Sequence, residues 1–306
     1  MQNVESNSQP ATVTTPEQGV FSLNDSEAYH SWRDQKLNGY PTRSEALLVE
    51  LGDLRRLSEA ERAALAKRLN KTNIVIYKYK GKAASKADIQ SLACQLGLAQ
   101  LDHNLCADED KITSLQVVDK GRHGGYIPYS DKRLSWHTDG YYNSAAQTVR
   151  AIIMHCVRPA ATGGENMYLD PEILYIQLRE QDPRWIEALM QANAMIIPAN
   201  FENGKQIRSE TRGPVFSVDQ QGYLHMRYSA RIRNIEWAKN GHIKKARAFI
   251  TEFLASDSPY VFRYRLQANE GVISNNVLHN RTAFKNDEQH NRLLYRARFY
   301  ERVNIS

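Results

Sequence analysis

Arg292-Leu293-Leu294-Tyr295-Arg296-Ala297-Arg298-Phe299-Tyr300 is the stretch on which the fold turns. Side chains of a strand alternate between two faces. Arg292, Leu294, Arg296 and Arg298 therefore share one side, and Leu293, Tyr295, Ala297 and Phe299 the other. The second face is apolar and has to pack on something. The first has two readings: arginines at a sheet edge facing water, or arginines lining the inside of a barrel. The barrel reading needs buried anions, because an unpaired charge out of water is costly. Arginine is the side chain shaped to take a carboxylate through two parallel hydrogen bonds. His279, in Asn276-Val277-Leu278-His279-Asn280-Arg281-Thr282, lies 13 residues before Arg292 and tips the balance toward the interior.

His279 matters because of a second segment, Ser135-Trp136-His137-Thr138-Asp139-Gly140. Residues i and i+2 on an extended segment point to the same side, so His137 and Asp139 can grip one ion together. Alone, such a pair reads as a hydrogen-bonded loop. Joined by His279, it supplies two imidazoles and one carboxylate and leaves about three positions of an octahedral ion open, which suits an iron(II) that must bind substrate and oxygen.

The 306 residues, 42% of them hydrophobic, are enough to bury a sizeable core. No apolar run is long enough to span a bilayer, and the start Met1-Gln2-Asn3-Val4-Glu5-Ser6-Asn7-Ser8 has neither the basic nor the apolar stretch of a signal peptide. Cys94, Cys106 and Cys156 are odd in number and widely spaced, which fits a reducing cytoplasm rather than a disulfide framework. Net charge is +6 and the pI near 9.1, but the basic residues are interleaved with acids. This disfavours nucleic acid as a partner and is compatible with attraction of a small anionic substrate.

Residues 1–20, rich in Gln, Asn, Ser and Thr, read as a disordered tail, and 21–306 as one domain. Ser58 to Leu69 reads as a capped amphipathic helix, Asn73 to Tyr79 as a strand, and Ser85 to Leu96 as a helix closed by Gly97. Further strands are expected at Ser114–Val118, Val149–Val157 and Tyr260–Leu266, and helices at Pro171–Arg179 and His242–Ala255. The expectation is a β-rich domain with helices packed outside it.

Taken together, Trp136-His137-Thr138-Asp139, the turn Ala161-Thr162-Gly163-Gly164-Glu165-Asn166, Leu278-His279-Asn280-Arg281-Thr282-Ala283-Phe284, and Arg292 with Arg296 resemble the TauD/TfdA family of iron(II)- and 2-oxoglutarate-dependent dioxygenases. The resemblance covers roughly residues 73 to 300. It implies an α+β fold with a mainly β core, a double-stranded β-helix (jelly-roll, cupin-like) with flanking helices. It also implies that His137, Asp139 and His279 ligate Fe(II), that Arg292 pairs with the distal carboxylate of 2-oxoglutarate, and that Arg296 lies near its C1 carboxylate and the primary substrate. Family members often have a threonine after the Gly-Gly-acid turn to help hold 2-oxoglutarate; this chain has Asn166. With O2 as second cosubstrate, the implied outcome is succinate, carbon dioxide and a hydroxylated, cleaved or desaturated small polar substrate, anionic or zwitterionic. Related halogenases carry a small residue where this chain keeps Asp139, so hydroxylation, or an oxidative cleavage or desaturation that follows from it, is the expected chemistry.

Substrate contacts are sought at Tyr141 and Tyr142, directly after the metal pair, at Asp102 and His103, and at Gln116. Arg231 and Arg233 are candidates for an anion-gripping lid, with a solvated loop as the plainer reading; His155, His225 and His290 have no partner pattern and read as structural or exposed. Two alternatives stay open: a metal- and acid-binding jelly roll without turnover, and a dioxygenase acting on RNA or protein. The oligomeric state is open, a homo-oligomer included.

Overall fold

The computed structural model describes residues 16, 18–102, 110–118, 127–202 and 204–305. Of the expected tail, 1–15 and 17 lie outside the described residues. Ten strands make two sheets that matter for the site. They are β1 (Leu48–Leu51), β2 (Ile74–Tyr79), β3 (Thr113–Leu115), β4 (Leu134–His137), β5 (Ala151–Arg158), β6 (Asn166–Leu169), β7 (Phe262–Tyr264), β8 (Glu270–Ser274), β9 (Leu278–Arg281) and β10 (Leu293–Phe299). The larger sheet runs in the order β1-β2-β8-β5-β10-β3 and the smaller β7-β6-β9-β4. Within them only β1 and β2 pair in parallel.

Local chemistry accounts for the elements that lead into the sheets. Helix α1 (Ser26–Leu37) is capped by Asp25, whose side chain accepts from the Ala28 N–H. Helix α2 (Glu59–Thr72) starts at a capping box between Ser58 and Glu61, and it ends where Asn73 takes a left-handed φ of 57° and turns the chain into β2. Helix α3 (Lys86–Gln95) has the same device in Ser85 and Asp88 and stops at Gly97, whose φ is 73°. Two expected strands are shorter than their sequence patterns. Tyr264 pairs with Asn166, and the next partners for Arg265 and Leu266 would be Glu165 and Gly164. Gly163 and Gly164 both have positive φ, which pulls that edge out of register and ends β7. Strand β3 likewise stops at Leu115.

The larger sheet is buried on both sides. One face carries Val75, Tyr77, Ile153, Ile273, Ala297 and Phe299 and packs on Leu65, Leu69, Ile89 and Leu92 of α2 and α3. The apolar side of the arginine strand has found its partner there. The other face, with Ile76, Ile152, Met154, Val272 and Leu294, meets the smaller sheet on the side that carries Tyr168 and Phe262. Behind the smaller sheet lie α4 (Pro171–Gln181), α5 (Pro183–Leu189) and α6 (Gly241–Ala255), which pack on one another through Leu174, Leu178, Ile186, Leu189, Ala246 and Ile250. The result is mixed α/β, mostly β, with helices outside. Among the described residues, no helix is long and apolar enough to cross a membrane.

His155 is part of this core rather than of any site. It is fully buried on the helix-facing side of β5, its Nδ1 is 3.0 Å from the Tyr77 hydroxyl, and its Nε2 has no partner among the described residues. Burial pushes the ring down to about 4. In the unfolded chain it titrates near 6.5, so as pH falls the unfolded state takes the proton first. Stability is intact above about pH 6.5 and drains away down to about pH 4, a contribution on the order of 3 kcal/mol. His155→Leu is expected to flatten that part of the acid limb in urea unfolding. An unchanged pH slope in the variant would contradict the assignment.

Candidate active site

His137 ends β4, and His279 sits opposite it on β9 as its register partner. Each ring turns its Nδ1 to a carbonyl two residues earlier, His137 to Ser135 at 2.8 Å and His279 to Val277 at 2.9 Å. A carbonyl only accepts, so Nδ1 carries the hydrogen in both rings and Nε2 keeps a free lone pair. The ring centres are 4.3 Å apart. Asp139 joins them from the turn just beyond β4 rather than from the strand itself. Gly140 makes that turn possible: its φ is 69°, and a Cβ there would come within 2.6 Å of the Val149 side chain.

Asn276, with a φ of 51°, fastens Asp139 in place. Its side-chain oxygen accepts from the Asp139 N–H at 2.8 Å, and its amide donates to the Asp139 carbonyl at 2.9 Å and the Val149 carbonyl at 2.6 Å. Sequence reasoning missed this role, although Asn276 lies in the same segment as His279.

His137, Asp139 and His279 are all buried, and one ligand atom from each lies within 4.8 Å of the others. His137 Nε2 is 3.4 Å from Asp139 Oδ1, close to the roughly 3 Å that separates neighbouring ligands bound about 2.1 Å from one ion. Burial alone would raise the Asp139 carboxyl, but Arg296, the contact with His137, Arg298 and His279 together hold it well below the usual carboxylate range. Burial, with His137 alongside, lowers His279 to about 4. A carboxylate and two imidazoles in a buried pocket are a donor set for a divalent cation, and Asp139 Oδ2 has no hydrogen-bond partner of its own among the described residues. Arg296 Nη1 stands 3.2 Å from that oxygen, an ion pair without hydrogen-bond alignment.

The arginine face of β10 points inward, but its members differ. Arg298 is spent: its guanidinium meets the Asp102 carboxylate and donates to the Tyr142 hydroxyl at 3.1 Å. Asp102 in turn accepts from Tyr300 at 2.9 Å and Asn143 at 3.2 Å. Arg281 on β9 donates to the carbonyls of Ser130 and Lys132. Arg292 is the exception. It is 6% exposed, lies over the Phe284 ring at 4.9 Å, and has no acidic partner among the described residues. Burial lowers its pKa to about 10. It shares a small cleft with Asn166, Gly163, Gly164 and Arg265. The cleft stays open because the glycines bring no side chains; even a Cβ on Gly164 would reach within 3.7 Å of Arg292 Nε.

Beside the triad opens a cavity of about 780 Å³, within the roughly 300–1,000 Å³ usual for small-molecule sites. Tyr141, Tyr142, Arg231 and Arg296 line it. Three other candidates lie off the lining. Asp102 does not line the cavity, because its carboxylate is committed to Arg298 and Tyr300 behind the wall. Gln116 is exposed beyond the end of β3 and off the lining. Arg233 is exposed and off the lining. His103 lies outside the described residues. The lining also includes Arg208, at the end of the hairpin Asn200–Glu202/Lys205–Arg208, which the sequence reading did not single out. Asn203-Gly204 is a recognisable hairpin signal, but nothing in it tells which way the arms point.

A family model described as "Taurine catabolism dioxygenase TauD, TfdA family" matches residues 33–298. A uridine-5'-phosphate dioxygenase of an Amycolatopsis species is 28% identical over 187 residues, 59% of this chain and 65% of that protein. The chain therefore spans a little under two thirds of that relative's length. Among solved structures, a putative alpha-ketoglutarate-dependent taurine dioxygenase from Burkholderia xenovorans superposes with a TM-score of 0.58 at 17% identity, covering 84% of this chain and 88% of that one. An asparagine oxygenase solved with Fe(II), 2S,3S-3-hydroxyasparagine and succinate gives 0.54 at 14% identity, covering 78% and 77%. These likenesses are to the fold.

Proposed function

Because the chain belongs to the TauD, TfdA family, we propose that it is an iron(II)- and 2-oxoglutarate-dependent dioxygenase that oxidises a small, polar, anionic substrate. Residues 21–306 act as one catalytic domain, and the two sheets are the two sides of a double-stranded β-helix. The observation that carries this reading is the pairing of a buried His-Asp-His donor set with a buried guanidinium, Arg292, that has no acidic partner among the described residues.

His137 and His279 hold the metal through Nε2, and Asp139 through its carboxylate. Arg292 takes the distal carboxylate of 2-oxoglutarate in the cleft it shares with Asn166, whose amide is a donor where relatives often offer a hydroxyl. Arg296, already facing Asp139, is placed to orient the cosubstrate's other end and to balance its charge. Bound together, iron(II) and 2-oxoglutarate supply the oxidising chemistry that turns dioxygen and the keto acid into succinate, carbon dioxide and an oxygenated product. The protein's own share is to present one C–H bond of the substrate beside the triad and to keep water out. The cavity is lined by four arginines and one carboxylate, which supports an anion as the preferred substrate. The substrate in the name of the Amycolatopsis relative, uridine-5'-phosphate, is such an anion.

The test is succinate formation from 2-oxoglutarate under air. It is expected to require added iron(II) and to rise when a panel of amino, sulfonic, carboxylic and phosphate acids includes the right substrate. Tight binding of metal and keto acid with no succinate under any of these conditions would favour a binding module instead.

A further inference from the structure

We propose that Arg208 and Arg231 form an anion subsite on the solvent side of the cavity, and that it takes a doubly charged phosphate group carried on a ring-bearing substrate. The inference rests on the catalytic reading above and adds the orientation of the substrate within it.

The charges lining the cavity do not cancel. Asp139 faces Arg296, and Arg298 is neutralised by Asp102 from behind the wall. Arg208 and Arg231 remain, neither with an acidic partner among the described residues and neither in contact with the triad. Each is held by something other than an anion. Arg208 donates through Nη2 to the Pro198 carbonyl at 2.9 Å, while its Nε is out of water with no partner among the described residues. Arg231 donates through Nη1 to the Tyr141 hydroxyl at 3.4 Å and is otherwise exposed at the mouth. Two cationic side chains on the wall of one cavity, neither balanced by a described acid, favour an anion there.

Two tyrosines bridge the pair. The Arg208 guanidinium is 5.7 Å from the centre of the Tyr142 ring, the Tyr142 and Tyr141 rings are 5.3 Å apart and nearly perpendicular, and the Tyr141 hydroxyl meets Arg231. The Tyr142 hydroxyl is pinned by Arg298, which fixes the orientation of that ring. A flat ring laid on such a wall, with its anion between the arginines, would send the rest of the molecule toward Asp139 and His137 on the same lining. Two guanidiniums match the two charges of a phosphate monoester, and the bidentate donors of arginine suit its oxygens.

The experiment uses the full chain with iron(II) and 2-oxoglutarate, and compares uridine 5'-monophosphate with uridine, and other ring-bearing phosphate monoesters with their dephosphorylated parents. A monoester is expected to stimulate succinate formation at concentrations about 10- to 100-fold below its parent, the effect of one or two charge-assisted hydrogen bonds. Arg208→Gln and Arg231→Gln are each expected to raise the KM for the monoester about 10- to 100-fold, while the KM for 2-oxoglutarate holds. Stimulation confined to neutral or cationic compounds, or an unchanged monoester KM in both variants, overturns the subsite. Should no compound elicit iron-dependent succinate, the catalytic reading is the one that has failed. Calorimetric binding of the same monoester to the wild type and both variants then decides the subsite: binding that both variants weaken supports it, and absence of binding overturns it.

Discussion

Asp139→Asn is expected to lower iron-dependent succinate formation by at least about a thousandfold. Outer partners of metal ligands alone are worth 10- to 100-fold, and this change removes a ligand's charge. The side chain keeps its shape, so the clamp from Asn276 to the Asp139 backbone is untouched. What disappears is the negative charge that Arg296 faces at 3.2 Å and that neighbouring groups hold ionised despite burial. Two imidazoles then stand beside an uncompensated guanidinium, a poor host for a dication. The measurement is the pair of iron affinity and succinate rate. Circular dichroism is the control, because an unpaired buried arginine costs stability. A variant that keeps a tenth of the wild-type rate would remove Asp139 from the metal-binding set.

Arg292→Met is expected to produce two effects of opposite sign. The apparent affinity for 2-oxoglutarate should fall by about 30- to 1,000-fold, the range for losing one partner of a buried, hydrogen-bonded charge pair. Without cosubstrate, the variant should melt at the same temperature as the wild type or higher, since a buried charge with no acidic partner is replaced by an apolar chain of similar length. Binding to the folded state alone stabilises by mass action, so the thermal shift that 2-oxoglutarate gives the wild type should vanish. An arginine serving only to pack against Phe284 would behave otherwise: its loss would lower the melting temperature and leave the 2-oxoglutarate shift in place.

The same contrast explains which parts of the site were legible. Arg292 and Arg298 look alike on the strand pattern, two of four inward-facing residues, yet one is open to a ligand and the other is consumed by Asp102. Asp102 is a candidate for substrate contact on sequence, but its carboxylate is taken up by Arg298 and Tyr300 and lies off the cavity lining. Gln116 was expected on a strand that stops one residue before it. Arg208 escaped notice because a hairpin signal fixes the turn but not the direction in which the arms project.

The sequence by itself determined what depends on near neighbours along the chain. Capping boxes at Ser58 and Ser85, the left-handed exit at Asn73 and the alternation of β10 are decided within a few residues, where side chains compete for a handful of backbone groups and two faces. The donor types at 137, 139 and 279 were legible for the same reason, as chemistry carried by the residues themselves. Only the tertiary structure decided the pairings across long separations: His279 beside His137, Asn276 under Asp139, Asp102 against Arg298 and the absence of any described acid for Arg292. Charge compensation in a dry interior depends on which groups meet in space. That follows from how two sheets and a hairpin stack, and no local pattern encodes it.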